Sequence, residues 1–185
     1  MGRIVGRCLR AMVFVAIASA AAGCATNIRD KDATIQPSKV PFSSFNIVAV
    51  RPLIVERSED DPGDRRAVDR IKSNLDTCFQ SVFKSPTATS AEQNGFAPGT
   101  LVIEPAIEDL KKINVAERFW VGPLAGSSAV LLRTRYRDGA SGDVIASPVF
   151  YSKANAMGAA FTVGVTDNLM LNRVTELACD YARRN

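Results

Sequence analysis

The clearest structural signal in the sequence lies between Ser128 and Lys153. Within residues 128–137, every second position from Val130 to Tyr136 (Val130, Leu132, Thr134, Tyr136) is mostly apolar, and Arg133, Arg135 and Arg137 occupy alternate positions. Because successive side chains of a strand point to opposite faces, this alternation predicts a half-buried strand. Turn-forming residues over 138–143 then lead into a second β-branched and aromatic segment, 144–153. The whole stretch is therefore predicted to be a β-hairpin.

Four further segments carry secondary-structure patterns. Residues 45–55 and 100–110 are apolar and β-branched, which is typical of strands, and Pro52 is expected to break the first of them near its end. Residues 65–84 and 167–182 have apolar residues at three- and four-residue spacing, which predicts two helices. We therefore predict an α/β (α+β) domain, a two-layer sandwich in which a mixed β-sheet has the two main helices packed on one face.

The first residues of the chain follow a different pattern. Three arginines precede an apolar run over residues 11–22, and Gly23 and Cys24 follow that run. A run of about 12 apolar residues is shorter than the roughly 20 that a membrane-spanning helix needs. A positive start, a short apolar run and a small-residue exit are typical of a secretory signal peptide. We therefore predict a signal peptide over 1–23, a lipidated cysteine and flexible tether over 24–41, and a single periplasmic α/β domain over 42–185.

The residues around the expected cleavage site, Ala21-Ala22-Gly23-Cys24, resemble the lipobox of bacterial lipoproteins. The resemblance implies a diacylglycerol thioether on Cys24 and a further acyl chain, such as palmitate, on its amine. Two or more acyl chains make membrane anchoring stable. The alternative is an unmodified cysteine after an ordinary cleavage site. Because Ala25 follows the cysteine, the sorting rule of such lipoproteins favours an outer-membrane anchor facing the periplasm over the inner membrane.

Composition excludes several classes of function. Loss of the signal peptide lowers the count of Lys and Arg from 23 to 20 against 19 acidic residues, so the net charge falls from +4 to +1. A near-neutral chain offers no general basic surface for nucleic acid. The sequence contains no histidine, which removes the commonest general base and most zinc sites. We predict no catalytic residues, no metal site and no cofactor.

Two cysteines remain for the folded domain, Cys78 and Cys179. An oxidising periplasm favours a disulfide between them. At 100° per residue, however, Cys78 falls at the edge of the apolar stripe of its helix, and Cys179 falls nearly opposite the stripe of the last helix, toward solvent. The sequence leaves both the disulfide and two separate thiols open.

Charged residues in the strands are the remaining candidates for a site. Arg133, Arg135 and Arg137, here called the arginine row, share one face of the predicted strand and could bind a phosphate, a carboxylate or an acidic partner. The alternative is an ordinary polar outward face. Glu104 and Glu108 would lie roughly 13 Å apart on one strand face, too far apart for retaining glycoside chemistry, so we interpret them as surface charges.

The pattern from Phe45 onward resembles a family of bacterial lipoproteins, domain of unknown function 4410. The resemblance rests on residues 101–104, on the glycine-containing segment 118–126, on the strand 129–136 and on the turn 138–142, where Ser141 stands in place of the family's Thr. More distantly, the order of elements is similar to the periplasmic domain of the curli secretion lipoprotein, whose relatives form rings. No long pair of alternating segments for a membrane barrel is left after the domain is assigned.

These features lead to two main functional hypotheses, and an enzyme that uses carboxylates or Ser127 and Ser128 is a third alternative. The first is a non-enzymatic, membrane-anchored module that binds an envelope protein or polymer. The second is a ring-forming or scaffold subunit of a secretion or envelope assembly, which would make the protein a homo-oligomer.

Overall fold

A mixed β-sheet with two helices on one face forms the frame of the structure, a computed structural model that describes residue 28 and residues 30–56, 62–90, 95–112, 127–154 and 165–185. The strands are β1 Ile47–Val50, β2 Ile54–Val55, β3 Thr87–Ala88, β4 Thr100–Lys111, β5 Ala129–Asp138, β6 Val144–Ala146 and β7 Val149–Lys153. The helices are α1 Pro62–Val82 and α2 Val165–Arg184. The predicted α+β class with a mixed sheet is confirmed.

The long strands β4 and β5 form the centre of the sheet and pair antiparallel. β1 and β2 run parallel to β4 and pair with successive parts of it, separated by residues 51–53. Pro52 has no N–H to donate, so the pairing breaks there as predicted. On the other side, β6 and β7 pair antiparallel with the end and the start of β5, with Pro148 between them. The short strand β3 lies parallel to β1 at the edge.

The core lies between the sheet and the two helices. β5 contributes Val130, Leu132 and Tyr136, which are fully buried, as the alternation predicts. The helices bury Ile71, Leu75 and Phe79 of α1 and Met170, Val174 and Tyr181 of α2 against the same face. Within the described residues, no helix is both long enough and apolar enough to cross a membrane.

The segment before β1 packs against the domain. Thr34 exchanges backbone hydrogen bonds with Val149 of β7, and the Ser38 N–H donates to Oδ1 of Asn185 at 2.9 Å. The Tyr181 hydroxyl donates to the carbonyl of Gln36 at 2.7 Å. The prediction of a flexible tether over residues 24–41 is therefore wrong for residues 30–41. Polar composition suggested a free chain, but these residues obtain hydrogen bonds by covering the open edge beside β7, which a sheet would otherwise leave unpaired.

Phe42 continues this contact into the core. It lies in the short 3-10 helix Phe42–Ser44 and is 4% exposed. Its ring stacks on Tyr136 with centroids 4.4 Å apart and also contacts the Tyr181 ring. The backbone N–H of Phe42 donates to the carbonyl of Asn185 at 2.6 Å. The entry into the domain is thus fixed to both the sheet and α2.

Candidate functional site

The arginine row lies on the outer face of the sheet, the face opposite the helices. It alternates along β5 with side chains that are buried in the core. The three guanidinium side chains keep 21%, 40% and 36% of their surface exposed, in sequence order. The register of β4 places Glu104 directly opposite Arg135. The row is therefore accessible, as its position in the sequence predicted, but acidic side chains lie next to it.

Arg133 lies between two carboxylates. Its Nη1 is 2.8 Å from Oε1 of Glu108, and its Nη2 forms an ion pair with Oε1 of Glu56. Glu108 lies at an irregularity of the β4–β5 pairing, between Ile107 and Asp109. One positive charge next to two negative charges leaves this end of the row without a positive excess.

The opposite balance holds around Glu104. This carboxylate is 13% exposed and is shared by three arginines, at 3.3 Å from Arg51, 3.6 Å from Arg135 and 3.4 Å from Arg137. Arg51 comes from the opposite side of β4, just after β1. We call these four side chains the Glu104 cluster. Their summed formal charge is +2, so the positive charge of the outer face is concentrated here.

A cleft of about 190 Å³ adjoins the Glu104 cluster. Its lining includes Arg51, Glu104, Arg137, Phe96 and the turn over residues 138–142. The Arg51 guanidinium lies 6.0 Å from the centroid of the Phe96 ring, within the range of a cation–π contact. The cleft combines a positive wall with an aromatic ring, a setting that suits a small carboxylate or phosphate group.

The turn beside this cleft is held by its own hydrogen bonds. Oδ1 of Asp138 accepts the N–H groups of Ala140 and Ser141 at 2.8 and 3.0 Å. The N–H of Gly139 donates to the carbonyl of Thr100 at 2.8 Å. A Cβ at Gly139 would approach Cβ of Phe96 to 2.7 Å, so only glycine fits at this point. The turn is therefore a fixed wall of the cleft.

A second cleft, of about 290 Å³, lies between α1 and the ends of β1 and β3. Its lining is mostly apolar and includes Leu53, Phe79 and Ala88. Lys72 and Asp76 form an ion pair of 2.9 Å at its side, and the hydrogen bond to Asp76 raises the pKa of Lys72. The sequence patterns did not predict this cleft, because it depends on how α1 sits over strand ends.

Cys78 and Cys179 form a disulfide that joins α1 to α2, with Cα atoms 5.8 Å apart. The prediction that Cys179 points to solvent is wrong, since this residue is 5% exposed. The reason is that α2 buries two surfaces, one on the sheet and one on α1. Asn74 of α1, for example, contacts Thr175 of α2 through a 3.4 Å hydrogen bond. Residues outside the main apolar stripe of α2 therefore face the neighbouring helix.

Other predicted features lie outside the described residues or have no metal-binding character. Cys24 and the glycines of segment 118–126 lie outside the described residues. Among the residues that are described, no group of three or more His, Cys, Asp or Glu side chains could hold a metal ion.

Comparison with known proteins identifies no family. No family model matches the chain, and no curated protein matches it. A variant of the PelC dodecamer from Paraburkholderia phytofirmans is 12% identical with a TM-score of 0.46, covering 82% of this chain and 96% of the other. A Xanthomonas campestris protein described by the family model DUF330 is also 12% identical, with a TM-score of 0.47 and coverages of 82% and 93%. Lipoprotein GNA1162 from Neisseria meningitidis is 11% identical, with a TM-score of 0.38 and coverages of 71% and 96%. These values establish neither a family nor a function for this chain.

Sequence reasoning found the arginine row but missed its partners. Glu104 was interpreted as an isolated surface charge, and Arg51 was not considered. The predicted break at Pro52 was a usable signal for the position of Arg51. It ends strand β1, so Arg51, which directly precedes Pro52, lies beside the neighbouring strand β4. Knowing which β4 residue faces Arg135 requires the strand register, which the alternation of one strand does not contain.

Proposed function

We propose that the chain is a lipid-anchored protein of the cell envelope that binds an anionic partner and catalyses no reaction. The observation that carries this proposal is the Glu104 cluster beside its cleft, where three guanidinium groups share one carboxylate. A partner that brings a carboxylate or phosphate group to Arg137 in the cleft, with Arg135 beside it on Glu104, would supply the negative charge that Glu104 alone does not. Such an interaction supports binding and requires no catalytic group.

Two features of the chain support the envelope setting of this proposal. The pattern before Cys24 is that of a lipoprotein signal peptide, and it would place acyl chains on Cys24 and the domain on the periplasmic face of the outer membrane. The buried disulfide between Cys78 and Cys179 is typical of proteins that fold in an oxidising compartment.

Arg135 is the best residue for a test. Its guanidinium is the most exposed of the row, and its contact with Glu104 is long, at 3.6 Å. We would tag the full chain, crosslink it in intact cells, purify it and identify the captured species by mass spectrometry. Arg135→Glu is expected to reduce capture of the partner about fivefold or more, the effect of losing an interface contact of ~1 kcal/mol.

The matched control is Arg173→Glu, which makes the same charge change at an exposed position of α2, in the helical layer. Equal loss of the partner in both variants would mean that net charge, not the Glu104 cluster, governs binding. A ladder of self-crosslinked species without any other partner would replace the proposal with the ring or scaffold hypothesis. Turnover of an envelope substrate by the purified domain would contradict the absence of catalysis.

A further inference from the structure

The beginning of the described chain is fixed at one end of the sheet. Ile28 is 7% exposed and packs with Ala129 and Leu131, at the start of β5. Partial burial raises the pKa of Tyr151 in β7, and the nearby carboxylates Asp30 and Asp32 raise it further. The residues that follow Ile28 therefore lie beside the same end of the sheet.

From Ile28 the chain runs along the edge of the sheet toward the opposite end. Thr34 pairs with Val149, near the middle of β5, and the N–H of Lys39 donates to the carbonyl of Ile145 at 3.3 Å. β6, which contains Ile145, pairs with the last part of β5. The direction of this segment is thus fixed by contacts near the start, the middle and the end of β5, and its first residues lie at the start of β5.

The chain between this point and the predicted anchor is short. Cys24 precedes Ile28 by four residues, which span at most ~14 Å when fully extended. β5 has 10 residues and is about 33 Å long at ~3.3 Å per residue. Cys24 can therefore lie close to the start of β5 but cannot reach its end.

On the basis of the lipid anchor at Cys24, which belongs to the proposed function, we propose that one end of the sheet faces the membrane. This end is formed by Lys111, Ala129 and Lys153, which are paired neighbours in β4, β5 and β7. The turn over residues 138–143 lies at the opposite, membrane-distal end. Asp30 and Asp32 also lie near the membrane-facing end, so the local charge is not the basis of this orientation. The orientation follows from the short chain between Ile28 and the anchor at Cys24.

This orientation has a consequence for the binding site. The cleft at the Glu104 cluster is bordered by the turn over residues 138–142, so it lies toward the membrane-distal end. Its ligand is then an anionic group presented from the periplasm, not a head group of the leaflet that holds the anchor. The structure thus separates the anchored end of the domain from the end that contacts the partner.

Distance to the bilayer can be measured by fluorescence quenching with the full lipidated chain in vesicles that contain acyl-chain nitroxides. A fluorophore is attached to Lys153→Cys at the membrane-facing end, or to Ala140→Cys in the membrane-distal turn, with the native disulfide intact. Both positions are exposed. We expect quenching about threefold or more stronger at position 153, because the length of β5, at ~3.3 Å per residue, separates the two labels.

A lengthened linker provides the matched control. Insertion of about 12 Gly and Ser residues after Ala25 adds a flexible chain with a mean reach of ~19 Å, so the difference between the two labels should shrink while membrane association remains. Equal or reversed quenching in the unmodified, membrane-bound chain would overturn the proposed orientation. If Cys24→Ala associates with the vesicles as well as the unmodified chain does, the lipid anchor itself fails, and with it that part of the proposed function.

Discussion

The two faces of the sheet are built from the same strands but are stabilised by different interactions. On β5, Leu132 and Tyr136 point into a core closed by two helices and a disulfide, and both are fully buried. The alternate residues Arg133 and Arg135 point outward and take part in ion pairs with glutamates of β4 and of the segment after β2. Burial of apolar surface supports the first face, whereas partly exposed charges contribute little net stability to the second.

This difference separates stability from recognition. The core face can change little without loss of the fold, because interiors are close-packed. The outer face keeps its charged groups in contact with solvent, where they can exchange one partner for another at small cost. We therefore expect truncations of core side chains to lower the unfolding free energy more than substitutions in the Glu104 cluster, which should also weaken binding.

The largest expected effect is that of the disulfide, which lies in the helical layer above the core face. Replacing Cys78 and Cys179 together by Ala should lower the free energy of unfolding by about 4 kcal/mol, since the bond closes a loop with a sequence separation of 101 residues. Urea unfolding of the oxidised chain and the double variant measures this. Reduced wild-type protein should match the double variant. Equal midpoints for oxidised and reduced wild-type protein would show that the bond does not constrain the chain.

Two adjacent leucines test the comparison within one strand. Leu132 is fully buried in the main core, and Leu131 is 7% exposed in the small outer cluster with Ile28. Leu132→Ala should lower the free energy of unfolding by about 3 kcal/mol, and Leu131→Ala by about 2 kcal/mol, measured by urea unfolding. If the two losses are equal, the outer cluster is a second core, and the contrast between the faces is wrong.

The sequence predicted the core face better than the outer face, for a physical reason. Burial depends on the period of one segment, so the alternation along β5 was enough to identify Val130, Leu132 and Tyr136. Ion pairs depend on the register between segments, so the contact of Arg51 with Glu104 could not be predicted. The prediction that Cys179 points to solvent failed for a related reason. A helix that packs on both a sheet and another helix buries more than one stripe of side chains.

The docked segment over residues 30–41 was also missed. Its polar composition resembles that of a linker, and its contacts are mainly backbone hydrogen bonds, such as those between Thr34 and Val149. Apart from proline, which lacks the N–H, every residue carries the same backbone donor and acceptor, so composition carries little record of such pairing. Isolated apolar residues are no guide either, since Ile28, just before this segment, is buried whereas Ile35 within it is 57% exposed.

A smaller effect is expected from the Glu104 cluster. Glu104→Gln keeps the shape of the side chain but removes the charge shared by Arg51, Arg135 and Arg137. The free energy of unfolding should fall by about 1.5 kcal/mol, since charge-assisted hydrogen bonds are replaced by neutral ones at a mostly buried position. Asp180→Asn, in exposed pairs with Arg183 and Arg184, is the control and should show no measurable change in urea unfolding. The loss of unfolding free energy in Glu104→Gln should decrease at 1 M salt, because Arg135 and Arg137 keep 40% and 36% of their side-chain surface exposed and salt screens exposed charges more than buried ones. A loss that does not depend on salt would place the Glu104 cluster energetically with the core.

The smallest effect has the opposite sign and concerns a polar atom on the core face. Among the described residues, the buried Tyr136 hydroxyl has no hydrogen-bond partner. Tyr136→Phe should therefore stabilise the protein by about 1 kcal/mol.

Burial also raises the pKa of Tyr136 above its ordinary value of 10.0. Below pH 10 the phenol is protonated in both states, and above pH 10 the unfolded chain releases this proton while the folded chain retains it. The free energy of unfolding should then fall by up to about 1.4 kcal/mol for each pH unit in the wild-type protein. Tyr136→Phe should lose less stability over the same range, as measured by urea unfolding between pH 9 and pH 11. A destabilised Phe variant with an unchanged pH dependence would mean that the hydroxyl has a partner that the core face requires.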